Sequence, residues 1–196
     1  PAEWAPQEAI LLSWPHNAET WPYQLKQVEN FYISLIREIS ESQKLWLNVN
    51  SEQMELEASR QLTLNRVSLD NIEFLKIPTY DAWIRDYGPI YTLNRDHSKR
   101  VVTNWVFNGW GDKYDSGYHQ DSQVPQKMAA LKNQETHSID FVLEGGAIEV
   151  NGQGTLIAAE QSFLNANRRQ MLSKPMVEQY MELSLIHISE PTRQDR

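Results

Sequence analysis

Ten residues, Tyr80–Pro89 (YDAWIRDYGP), hold two acids, one arginine and three large aromatics, and close on Gly88-Pro89. A carboxylate beside a flat aromatic face suits a planar cation, because the acid supplies charged hydrogen bonds and the ring supplies a surface. A second acid stands in Leu143-Glu144-Gly145-Gly146, next to two conformationally permissive positions. We read Asp86 and Glu144 as parts of one site whose ligand is a guanidinium group. The plainer reading, favoured by composition alone, is that Asp86 pairs with Arg85 or caps a turn.

Other chemistries stay open on the residues alone. Asp81, Asp86 and Glu144, with Arg85, Trp83 and Trp110, could form a glycosidase acid pair. The same acids could hold a divalent metal with further oxygens. Neither option has a specific motif here. The five histidines, at 16, 97, 119, 137 and 187, show no HxxxH or HxH spacing, so each reads as a solvated loop residue. There is no GxSxG elbow, and Asn108–Tyr114 (NGWGDKY) lacks the glycine spacing of a phosphate loop. That stretch reads equally as a packed surface loop or as the rim of a pocket. Guanidinium recognition asks for carboxylates at the flat edge of the cation. Its hydrolysis also asks for a nucleophile, usually a thiolate, and a histidine to move protons to departing ammonia. The chain offers the carboxylates and contains no cysteine.

The elements that must position these residues follow from pattern. Ala9–Trp14, Lys44–Val49 and Asn71–Ile77 read as strands, with helices over roughly Tyr23–Ser42 and from Ser51 to about Leu62 between them. In the first helix Val28, Phe31, Tyr32, Leu35, Ile36 and Ile39 make an apolar stripe that is expected to be core rather than a binding face. Ser51 is placed to cap the second helix. Strand, helix, strand, helix, strand predicts an α/β fold, and the YDAWIRDYGP stretch follows directly on its third strand, where such folds build sites. Pro89–Leu93 and Arg100–Phe107 read as strands joined by a polar turn. Val124–Asn133 reads as a helix with Pro125 in its first turn. Ser138–Val142, Ala147–Val150 and Thr155–Ala159 read as strands, the last two forming a hairpin around Asn151-Gly152. Ser173 and Pro175 open a final helix to about Leu183.

Composition bounds the class. The 196 residues suffice for one core, and no linker divides them. Acids outnumber bases 26 to 18, a formal charge of −8, which disfavours general nucleic-acid binding. No apolar run approaches the roughly 20 residues that span a bilayer. No signal peptide is visible at the start. The expected location is therefore the cytoplasm.

Several segments, in order, carry a resemblance. PAEW at the start, LSWPHNAETWP, WIRDYGP, FNGWGDKY, LEGGAIEVNGQGTLIAAE and FLNANR follow one another as in the agmatine deiminase and bacterial (Porphyromonas-type) peptidylarginine deiminase family. The set covers residues 1 to about 183. The resemblance implies a pentein fold, a five-bladed α/β propeller of ββαβ units, of which this chain looks like the N-terminal half. It implies a hydrolase that converts a guanidine to a ureido group and ammonia, with agmatine the favoured substrate in putrescine biosynthesis and peptidyl-arginine the alternative. Asp86 matches the acid that binds the guanidinium. Glu144 matches the acid that supports a catalytic histidine and the substrate. Trp83 and Trp110 are expected to line the substrate site, with Gly145 and Gly146 letting the backbone crowd it. Arg85 is expected to hold the loop by pairing with acids. No metal and no cofactor are implied, and the full-length protein is allowed to be a homo-oligomer.

The departures are also plain. The family's later H-x-D segment and its C-terminal cysteine have no counterpart here, so the 196-residue chain is expected to be inactive. Ala158-Ala159 and Ser162 stand where the family tends to have Thr-Thr and Cys. Residues 184–196 (SLIHISEPTRQDR) resemble a vector read-through, and native sequence is expected to stop near Leu183. A propeller cut midway leaves strand edges and apolar faces open, so aggregation on expression is expected.

Overall fold

Alternating apolar runs and amphipathic stretches at the start of the chain produce a parallel sheet. The computed structural model describes residues 1–93, 98–113, 117–168 and 172–181. Strands β1 (Ile10–Ser13), β2 (Leu45–Val49) and β3 (Ile72–Lys76) pair in parallel in the order β1-β2-β3. Helix α1 (Leu25–Ser40) and helix α2 (Glu52–Leu64) make the crossovers. Every residue of β2 is buried, as expected of a central strand covered on both faces. Ser51 caps α2 by accepting from the Met54 amide at 3.2 Å, with Glu52 and Glu55 in the positive first turn.

The described residues fall into two compact units. One comprises Pro6–Ile84 and Gly117–Val124; the other comprises Pro1–Ala5, Arg85–Ser116 and Pro125–Arg196. The core of the first unit is Trp14, Ile33, Ile36, Leu45, Leu47, Val49, Ala58 and Leu62, closed by Val67.

The α1 stripe takes its expected core role only in part: Ile36 is fully buried and Ile39 packs against the core, but the rest of the stripe does not join them. Ile33, Ile36 and Ser40 are the buried residues, while Phe31 is 62% exposed. At 100° per residue, the buried set lies roughly a third of a turn around the helix from the Val28–Phe31–Tyr32–Leu35 face. Val28, Phe31 and Tyr32 instead line an open cavity of about 370 Å³ with Trp21, Ala82 and Trp83. His16 is also not a solvated loop residue. Its Nδ1 lies 3.0 Å from the Trp14 carbonyl, and its Nε2 lies 3.1 Å from the Thr79 carbonyl and 2.9 Å from Asn50 Nδ2. These bonds tie it to the segment that leaves β3 and leave it half-buried. His119 and His137 are exposed as expected, and residues 97 and 187 lie outside the described residues.

The second unit holds β4 (Ile90–Leu93), β5 (Arg100–Val106) and β6 (Thr136–Val142), in the order β4-β5-β6. β4 pairs antiparallel with β5, and β5 pairs parallel with β6. With the helix Val124–Leu131 between β5 and β6, the element order is ββαβ. The register shifts at Trp105/Val106, so that Trp105 faces Ile139 but Val106 faces Val142. Strands β7 (Ile148–Val150) and β8 (Leu156–Ala158) form the hairpin read from Asn151-Gly152, with Gly152 and Gly154 at positive φ. Trp105, Phe141, Leu143, Ile148, Phe163, Val177 and Met181 form the core. The last two come from the helix Lys174–Met181. Among the described residues no helix is long and apolar enough to cross a membrane. The read-through reading of residues 184–196 falls outside the described residues.

Candidate active site

The carboxyl ends of β5 and β6, with the start of β4, bring the predicted residues of the second unit together. Leu143, buried in the core, donates its amide to the Val106 carbonyl at 3.1 Å. That anchor places Glu144 directly at the end of β6. The chain then tightens into the 3-10 turn Gly145–Ala147. On the other side, the helical turn Ile84–Tyr87 presents Asp86, and buried Tyr87 packs its ring 5.9 Å from that of Phe107 at the end of β5.

The two glycines are required by this approach. A Cβ on Gly145 would overlap the Arg85 carbonyl, and one on Gly146 would overlap Asp86 Oδ1. With no Cβ in the way, the Gly146 amide donates to Asp86 Oδ1 at 3.2 Å. The Trp110 indole N–H donates to Asp86 as well. Arg85 does not pair directly with Asp86. It binds Glu3 and, at 2.9 Å, Glu149 of β7, which fixes the outside of the turn.

Trp110 reaches Asp86 by an unusual backbone. Gly109, Trp110, Gly111 and Asp112 have φ of 61°, 57°, 83° and 57°, four successive residues in the left-handed region. For Trp110 and Asp112 that conformation is strained. The turn is held by Asn108, whose Oδ1 accepts from the Gly111 amide at 2.9 Å and whose carbonyl accepts from the Asp112 amide at 2.8 Å. Strain of this kind persists where the surroundings over-determine the geometry, and it clusters at functional sites.

A residue that pattern reading passed over completes the group. Arg168, from the 3-10 turn Ala166–Arg168, places Nε 2.8 Å from Glu144 Oε1, with the side chains 12% and 4% exposed. This is a close, buried ion pair. Arg168 Nη1 donates to the Trp110 carbonyl at 2.8 Å and to Asn167 Oδ1 at 3.1 Å. FLNANR, which contains it, stood out only as a segment of the resemblance.

Burial raises the Asp86 carboxyl above its ordinary range, against the Gly146 and Trp110 donors and the Arg85 and Arg168 charges. Burial also raises Glu144, with Arg168 opposing and Asp86 reinforcing the shift. Two half-desolvated acids near one guanidinium is an arrangement suited to holding a planar cation.

Trp83 and Asp81 belong to the first unit. The Trp83 indole donates to Asp81 Oδ2 at 2.9 Å, and its ring lies 5.2 Å from that of Trp21 at a 31° tilt. Asp81 also accepts from the Thr20 hydroxyl and, at 2.7 Å, from the Ala82 amide. The structure thus joins Asp86, Glu144, Gly145, Gly146 and Trp110 in one cluster and gives Trp83 surroundings of its own. Among the described residues no group of three or more His, Asp or Glu is placed to hold a metal ion.

The profile of the Porphyromonas-type peptidyl-arginine deiminase family matches residues 1–188. The chain belongs to this family. An agmatine deiminase of Pseudomonas fluorescens is 33% identical over 190 residues, which are 94% of this chain and 50% of that protein. The solved agmatine deiminase of Enterococcus faecalis superposes with a TM-score of 0.83 at 32% identity, covering 93% of this chain and 49% of the other. A substrate-bound C. jejuni agmatine deiminase superposes with a TM-score of 0.79 at 30% identity, over 93% of this chain and 51% of the other. The fold is accordingly part of the pentein fold. The chain spans about half the length of the relatives it matches.

Proposed function

We propose that the protein acts as a guanidine deiminase, converting agmatine to N-carbamoylputrescine and ammonia. The observation that carries this reading is the grouping of Asp86 and Glu144, electrostatically coupled to each other, beside the Trp110 indole. Family membership supports the reaction class. In this reading Asp86 takes one edge of the substrate guanidinium, and Glu144 takes the other while supporting a proton-transfer histidine. Both carboxylates keep the group cationic, which makes its central carbon electrophilic. A thiolate adds to that carbon, ammonia leaves with a proton from the histidine, and water resolves the thiouronium adduct to the ureido product. The thiol and that histidine come from sequence beyond this chain, so these 196 residues bind without turnover. Peptidyl-arginine is the second substrate, favoured by the family description.

The test is ammonia release by the protein expressed from the complete reading frame. Release from agmatine well above release from an arginine peptide supports the first substrate, and the reverse order supports the second. No release from either would overturn the deiminase reading. Release from agmatine by the purified 196-residue chain would overturn the assignment of the nucleophile to sequence outside it.

A further inference from the structure

Arg168 is built into the wall of the site rather than laid across it. Its carbonyl accepts from Asn108 Nδ2 at 3.0 Å, and its amide donates to the Asn165 carbonyl at 2.9 Å. Nη1 is tied to the Trp110 carbonyl, which the left-handed turn Gly109–Asp112 aims at it, and to Asn167 Oδ1. A Cβ on Gly111 would collide with the Asn167 carbonyl, so the two turns are in direct backbone contact. The strained turn therefore fixes two things at once, the indole that reaches Asp86 and the arginine that reaches Glu144.

The Arg168–Glu144 contact is a buried ion pair, with Nε 2.8 Å from Oε1. Glu144 Oε1 is shut off from water, with Arg168 Nε as its close neighbour. The charged groups facing Glu144 are Arg168 and Asp86, and Arg85, bound to Glu3 and Glu149, acts on Asp86. Without Arg168 the two acids would be close like charges, and one of them would take up a proton.

We propose that Arg168 is a positioning residue of the guanidinium site, holding Glu144 as a fixed anion for an external guanidinium. The proposal rests on the guanidinium reading of the site. Arg168 acts through Glu144 and not as a stand-in for the ligand.

The experiment follows the Glu144 carboxyl by carbon-13 NMR in this chain, assigned with Glu144→Gln, and measures agmatine binding across the same pH range. Arg168→Gln is expected to raise the Glu144 midpoint by about one pH unit or more, the size of a nearby opposite charge. Arg168→Lys, which keeps the charge, is expected to stay within about half a unit of the parent. Agmatine should bind Arg168→Gln about tenfold more weakly at neutral pH, with the deficit closing as pH rises. An unmoved midpoint in Arg168→Gln overturns the proposal. Tighter agmatine binding overturns it too, because that is the behaviour of a residue that competes with the ligand. Should Arg168→Gln fail to fold by circular dichroism, Asn167→Ala loosens Nη1 and is expected to give a smaller upward shift, with no shift counting against the role. Absence of agmatine binding by the parent chain sinks the guanidinium reading, and the midpoints then still decide whether Arg168 holds Glu144.

Discussion

Each unit of this protein holds two carboxylates near one another, and the two pairs are treated differently. In the first unit Asp121 accepts from the Tyr80 amide at 2.6 Å and from the Asp81 amide, and Asp81 accepts from Thr20, Ala82 and Trp83. Those donors belong to the start of the YDAWIRDYGP stretch or lie against it, so this pair pins a loop. In the second unit Asp86 and Glu144 share the charge of Arg168, whose Nε lies 2.8 Å from Glu144. A carboxylate saturated by local N–H groups has finished its work as structure. Two acids that share one cation are an arrangement suited to a second cation. Asp81 and Asp86 stand five positions apart in one short stretch and belong to different pairs.

The comparison breaks most severely at the ion pair. Arg168→Gln leaves Glu144 buried and unpaired, and the loss expected is about 3 kcal/mol of stability, read by urea unfolding. The double variant with Glu144→Gln should recover most of that loss, because the buried charge is gone. A single variant as stable as the parent would show that the pair is not desolvated.

Asp121 gives the next largest effect. Burial, reinforced by Asp81, pushes its carboxyl up from 3.8 to about 7. Between those values the folded chain holds a proton that the unfolded chain has released, so stability falls as pH rises through that window. The loss is expected to reach a few kcal/mol at neutral pH. Asp121→Asn keeps a carbonyl acceptor and should flatten the slope. An identical pH profile for parent and variant would remove Asp121 from the account. The smallest effect tests the scaffold alone: Ser51→Ala removes the α2 cap and should cost about 1 kcal/mol without altering ligand binding.

The elements were legible wherever local pattern matched tertiary use. β1 to β3, both crossover helices and the Ser51 cap follow from apolar runs, helical spacing and a capping hydroxyl. The α1 stripe misled because periodicity gives an apolar face but not which part of it meets a sheet. His16 misled because its partners, Thr79 and Asn50, are far away in sequence. In the site, Asp86, Glu144 and the two glycines could be named from residue types beside one another. Arg168 could not, because its pairing with Glu144 depends on a left-handed turn at Gly109–Asp112 that no short-range pattern announces.

The central claim is that Asp86 and Glu144 form one guanidinium site. Titration calorimetry of this chain with agmatine, for the parent and for Asp86→Ala, tests it most directly. The account predicts a binding heat that grows as pH rises through the raised range of the two carboxyls, and a loss of at least tenfold in affinity in Asp86→Ala, as expected for a charged hydrogen bond. Equal heats from the two proteins, or a heat that shrinks with rising pH, would contradict it.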